Sequence, residues 1–348
     1  MGFLVALFWN RTERRIPAVW RLILQTLLLL LLLLLLAVIL ALAMPLDLDE
    51  AEFTSLSPLV LDEVVPLVCV EAVALIVSVY IAARFLDRRS FANLGLGLDS
   101  AWWLDLLFGL VLGVALTSAV FLVHLAAGWI TITGWCVPGR PGQTFISGFA
   151  RMLFVFVIVG LTEELLSRGY HLRNMAEGLC CRLIGPQAAL WLGLLVSSLV
   201  FALMHLANAS ITPFCIINLL LTGVMLGLAY VLTGRLALPI GLHITWNLFQ
   251  GSVYGFAVSG EASRATWIAT SVAGPESWTG GAFGPEGGLL GTLADLVGCF
   301  LIVLWVRHRT GRIRPHAHLA QYVPPHVALA RPAGTMTEPS QETPRSEG

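Results

Sequence analysis

The chain has 348 residues, 57% of them hydrophobic and only 12% charged, with a formal net charge of -1. An ordinary globular domain carries about 25% charged residues, so a soluble or disordered chain and a basic nucleic-acid surface are excluded. The six cysteines (Cys69, Cys136, Cys180, Cys181, Cys215, Cys299) are too scattered for a disulfide framework or a CxxC metal site.

What remains is an integral membrane protein. A bilayer core about 30 Å thick needs roughly 20 apolar residues per helical crossing. In chain order the apolar runs are Leu22–Met44, Val64–Ala83, Leu104–Ala126, Phe145–Leu166, Ala188–Ala207, Phe214–Leu232, Leu236–Val258 and Leu289–Val306. They are continuous and Leu-rich rather than alternating, which predicts helices and not barrel strands. The fold class expected is therefore all-α, a polytopic transmembrane helix bundle of about eight spans. The first run follows Arg11, Arg14, Arg15 and Arg21 like a signal peptide, but it is longer than the 7–15 residues of a secretory h-region and reads as a retained span.

All twenty basic residues are arginine, and their placement predicts orientation. The N-terminal segment, the connection with Arg84, Arg88 and Arg89, that with Arg173 and Arg182, that with Arg235, and the tail from Arg307 onward alternate with Arg-poor connections. The positive-inside rule then puts both termini in the cytoplasm. The domain reading is N-terminal transmembrane helices over 1–144, a core over 145–258, an extracytoplasmic loop and last span over 259–310, and a disordered cytoplasmic tail over 311–348. Gly109/Gly113 and Gly223/Gly227, at four-residue spacing, predict close helix approach.

Ionisable residues inside apolar runs are costly and mark candidate sites. Three groups stand out: Glu163-Glu164 with Arg168, Phe201 with His205, and His243 with Asn247. Residues four apart share a helix face, so Glu164 and Arg168 can pair, whereas Glu163 points about 100° away with no local partner. A positioned carboxylate of that kind suits a general base, and two donors converging from His243 and Asn247 suit an oxyanion. Simpler roles exist for each: a structural ion pair for Glu164–Arg168, interhelical hydrogen bonds for His124, His205 and Asn247. Glu71, Asp105 and Asp295 also fall in or beside spans and receive no role.

At these residues the sequence resembles the CaaX prenyl protease and bacteriocin-processing (CPBP, or Abi) family of intramembrane endopeptidases. The signature EExxxR, FxxxH, HxxxN stands complete and in order, and the resemblance covers about Arg151 to Gly255. It implies a hydrolase in which Glu163 activates water, His205 assists in proton transfer, His243 and Asn247 stabilise the oxyanion, and Glu164 and Arg168 hold the geometry. The family is named as metalloprotease. If a metal takes part, Glu163, His205 and His243 would be its ligands, enough for a three-ligand Zn²⁺ site with an open position, although HExxH is absent; water activation without a metal is the reading ranked first. The expected partners are the lipid bilayer and a membrane-associated protein or peptide substrate, with no nucleic acid, and the expected location is a cell membrane of bacterial inner-membrane type. A non-catalytic scaffold or immunity protein of the same fold and a proton-coupled transporter are the competing readings.

Overall fold

The computed structural model describes residues 8–10, 13–43, 64–262 and 264–322. It is a helical bundle: α1 (Ala18–Ala43), α2 (Val64–Leu86), α3 (Ser100–Ala126), α4 (Phe145–Leu179), α5 (Pro186–Met204), α6 (Pro213–Thr233), α7 (Ala237–Asn247, continued as a π-helix over Leu248–Val253) and α8 (Leu289–Thr310). Seven of these are long and apolar enough to cross a bilayer, and the chain is a multi-pass membrane protein.

The seventh expected span, Leu236–Val258, is α7, and it falls short. Its eleven α-helical and six π-helical residues would reach about 26 Å. Every residue from Ala237 to Asn247 is buried, so α7 is surrounded by protein rather than lipid and need not match the hydrocarbon thickness. α1 is the opposite case, with Leu30, Leu31, Leu34 and Leu35 all more than half exposed.

α7 lies against α3 without intervening side chains. A Cβ on Gly109 would collide with the Leu238 carbonyl oxygen, and one on Gly113 with Thr245 and Leu242. Thr245 Oγ1 in turn donates to the Leu110 carbonyl at 2.9 Å. The small-residue spacing therefore sets a backbone-to-backbone crossing.

The helical bundle expected from sequence carries one small addition: Ile130–Val137 (β1) and Thr266–Val272 (β2) form an antiparallel ribbon with Ile130 opposite Val272. The runs Ile-Thr-Ile and Thr-Trp-Ile lie outside the spans, where ribbon pairing satisfies their backbone. The described segment that follows α8 docks back onto the bundle. Ala317–Ala320 forms a 3₁₀ turn with Leu319 and Ala320 buried, and His316 N–H donates to the Val231 carbonyl at 2.9 Å. The part of the tail beyond residue 322, like the acidic connection at 44–63, lies outside the described residues.

One end of the bundle is closed by buried charge. Glu177 accepts from Arg15 at 2.8 Å and Arg89 at 2.6 Å, Asp87 accepts from Arg21 at 2.9 Å, and the Tyr322 ring covers the Arg15 guanidinium at 3.5 Å. The N- and C-terminal segments thus meet at the same end. β1 follows α3 at the other end, where Trp135 and Trp267 are exposed on the ribbon, the placement typical of an interfacial aromatic belt.

Candidate active site

α4 brings the glutamate pair to the bundle interior. The expected boundary at Leu166 is wrong: the helix runs to Leu179, and Glu163 and Glu164 sit near its middle. Simple spans ending at Leu166 would leave His205 far from Glu163 in depth. With α4 extended, Glu164 stands fifteen residues before Leu179, and His205 stands nineteen after Pro186 on the returning helix. At 1.5 Å per residue the two differ by only about 6 Å along the hairpin.

Immediately after Glu164 the helix widens into a π-helix over Leu165–Leu172, and α7 does the same immediately after Asn247. Such wide turns re-aim side chains and recur at functional sites. Nothing in the hydrophobic pattern signals them.

Glu164 is fully buried, and its Oε1 accepts from Arg168 Nη1 at 2.8 Å and from His243 Nδ1 at 2.9 Å. The Arg168 Nη2 donates to the Gly223 carbonyl at 3.2 Å, and its guanidinium lies 4.4 Å from the centre of the Phe201 ring. Close approach of α6 at Gly223, where a Cβ would press on Ser198 of α5, puts that carbonyl within reach. Arg168 therefore ties α4, α5 and α6 together behind the glutamate.

The histidines have defined ring edges. The His243 proton on Nδ1 goes to the Glu164 carboxylate, which turns Nε2 toward Glu163 Oε2 at 4.0 Å. His205 donates Nδ1–H to the Phe201 carbonyl at 2.8 Å, since a carbonyl can only accept, and this leaves its Nε2 as an acceptor. The Phe201 ring stands between them, 4.8 Å from the His205 ring and 6.5 Å from the His243 ring.

Glu163, His205, His243 and Asn247 all line one cavity of about 520 Å³, whereas Glu164 and Arg168 stand behind its wall. Asn247 is buried within the protein, yet its amide has no hydrogen-bond partner among the described residues. The six residues expected from sequence are thus brought together, four facing the cavity and two supporting them.

The cavity also has residues that the motifs do not contain. Glu71 of α2 lines it; its signal in the sequence was an acidic residue within an apolar run. Ser259, Glu261, Arg264 and Glu286 line it from the connection between α7 and α8. Glu286 is buried, which pushes its carboxyl above the usual range, against the hydrogen bonds it accepts from Ser259 and Gln250. The connection expected to be an outer loop therefore forms part of the cavity wall.

As placed, the donors do not fit a metal ion. Among the described residues no three His, Cys, Asp or Glu side chains are grouped closely enough to hold one. Glu163, His205 and His243 share the cavity without converging on a point.

Residues 145–249 match the family model described as type II CAAX prenyl endopeptidase Rce1-like. The match spans less than a third of the chain and marks a likeness in this stretch alone. No curated protein and no solved structure shows a match to the chain. The matched stretch holds every motif residue from Glu163 to Asn247, while Glu71 and the wall from Ser259 to Glu286 lie outside it.

Proposed function

We propose that the protein is an intramembrane endopeptidase that hydrolyses a peptide bond of a membrane-associated protein or peptide with a Glu163-activated water. The observation that carries this reading is the shared cavity: a carboxylate, two imidazole Nε2 edges and an unengaged amide open onto one space. Glu163 takes a proton from water as the oxygen attacks the substrate carbonyl carbon. In its doubly protonated form His243 keeps Nδ1–H on Glu164 and, with the Asn247 amide, donates to the tetrahedral oxyanion. The proton that Glu163 took from water passes by way of the His205 Nε2, which is free to accept it, to the leaving nitrogen as the C–N bond breaks. Glu164 and Arg168 touch neither water nor substrate and act by holding His243. A role for Zn²⁺ stays a separate proposal, requiring the three side chains to converge further.

The Rce1-like match supports protease chemistry in general. The arginine-rich end supports an orientation with both termini in the cytoplasm, and we place the chain in a membrane of bacterial inner-membrane type.

The test compares membranes carrying the native chain with membranes carrying Glu163→Ala or His205→Ala at matched abundance, with new protein N-termini mapped by mass spectrometry. Termini that disappear with both variants are expected and name the substrates. Identical termini, with a cellular phenotype that needs the protein but not Glu163, would replace the protease with the non-catalytic scaffold.

A further inference from the structure

Glu71 stands within the apolar run of α2, outside the Rce1-like stretch. Among the described residues it has no hydrogen-bond or ion-pair partner. An ionisable side chain kept in a span without a partner faces a functional path rather than lipid, and Glu71 faces the cavity.

The cavity's charge is one-sided. Glu71, Glu163, Glu261 and Glu286 line it, with Arg264 the one arginine of its described wall, beside His205 and His243. Glu286 Oε1 is already committed to Gln250 Nε2, Ser259 Oγ and the Ser259 N–H. Glu71, Glu163 and Glu261 take no such donors among the described residues. Much of the remaining wall is apolar, including Leu67, Leu75, Val155, Phe156, Met225 and Trp246. A space of this kind attracts a chain that is apolar with a cation on it, and repels a carboxylate, because charges interact strongly where water is scarce.

We infer that the cavity selects an apolar segment carrying a lysine or arginine side chain, and that Glu71 is the residue that reads this charge. The inference rests on the proteolytic reading of the same cavity. It also accounts for product departure: hydrolysis leaves a new carboxylate beside Glu71 and Glu261, whose repulsion drives it out.

The experiment uses the full chain in liposomes with apolar peptides that differ at one central position, Lys, Gln or Glu. Cleavage is read as kcat/KM by mass spectrometry. Binding is read separately, as capture of photoreactive versions by the Glu163→Gln variant. The Lys peptide is expected to exceed the Glu peptide by about tenfold or more in both. Glu71→Gln should collapse the Lys-to-Glu ratio toward one, and Glu71→Asp should retain it. A native ratio near one, or a ratio that survives Glu71→Gln, overturns the inference. Charge-selective capture without any cleavage would support the selection and sink the proteolytic reading; cleavage without charge selection would do the reverse.

Discussion

Arg168 makes three contacts at once, with Glu164, the Gly223 carbonyl and the Phe201 ring face. A lysine has one donor group and no planar face, so it cannot keep all three. Removing the guanidinium leaves the Glu164 carboxylate buried with His243 as its remaining partner. Breaking a buried pair in this way costs about 3–5 kcal/mol. Arg168→Met should therefore shift the denaturant midpoint strongly downward, with Arg168→Lys recovering only part of it. An unshifted midpoint for Arg168→Met would remove the support role given to this pair. The Glu164–Arg168 contact was legible in the sequence because helix geometry alone puts positions four apart together. The Gly223 and Phe201 contacts were not, because they depend on which helices neighbour α4. Glu71 was visible as an anomaly within its run, but only the cavity gives it a direction.

At the level of elements, the α3–α7 crossing governs where His243 stands. A methyl group on Gly109 meets backbone, not a flexible side chain, so the helices must separate. Overpacking of this kind costs typically 1–3 kcal/mol, and a displaced His243 loses its place over the cavity. Gly109→Ala should lower both the thermal midpoint and the rate of Glu163-dependent cleavage; an unchanged midpoint would show that α3 and α7 have slack. The C-terminal strap has a different sensitivity. His316 packs half-buried beside Gly234, and burial, with Arg235 adding, holds it below its ordinary pKa. A histidine kept neutral by docking adds stability above its unfolded pKa and loses it as pH falls below about 6.5, because the undocked state binds the proton more tightly. Backbone amides of the strap should then exchange faster at pH 5 than at pH 7.5, relative to α6. Equal protection at both would mean that His316 does not couple to docking. The helices themselves were readable from apolar runs, yet the π-helical turns, the end of α4 and the β1–β2 ribbon escaped. Each is decided by packing against a distant segment rather than by local hydrophobicity.

Across the whole molecule, one end holds the arginine cluster and both terminal segments, and the other holds the tryptophan-bearing ribbon. Two native cysteines report on the two ends: Cys181, exposed just beyond α4, and Cys136, exposed on β1. With both termini cytoplasmic, a membrane-impermeant thiol reagent should label Cys136 in intact cells and Cys181 only after permeabilisation. Labelling of both from one side would contradict the eight-crossing path, and the converse pattern would invert the orientation. The alternation of arginine-rich and arginine-poor connections predicts this path, in which α7 would be the further crossing beside the seven helices long enough to span.

The ionic closure at the arginine-rich end also imposes a schedule on biogenesis. α1 presents mostly leucine to the lipid, and the ionic anchors at its start are Arg15 and Arg21, whose acceptors are Asp87 and Glu177. Those acceptors leave the ribosome long after α1 has entered the bilayer, and Tyr322 emerges later still to cover Arg15. Until each acceptor emerges, the cations at the start of α1 lack their partners, so that end of the nascent chain stays open to quality-control recognition until Glu177 and then Tyr322 have reached it.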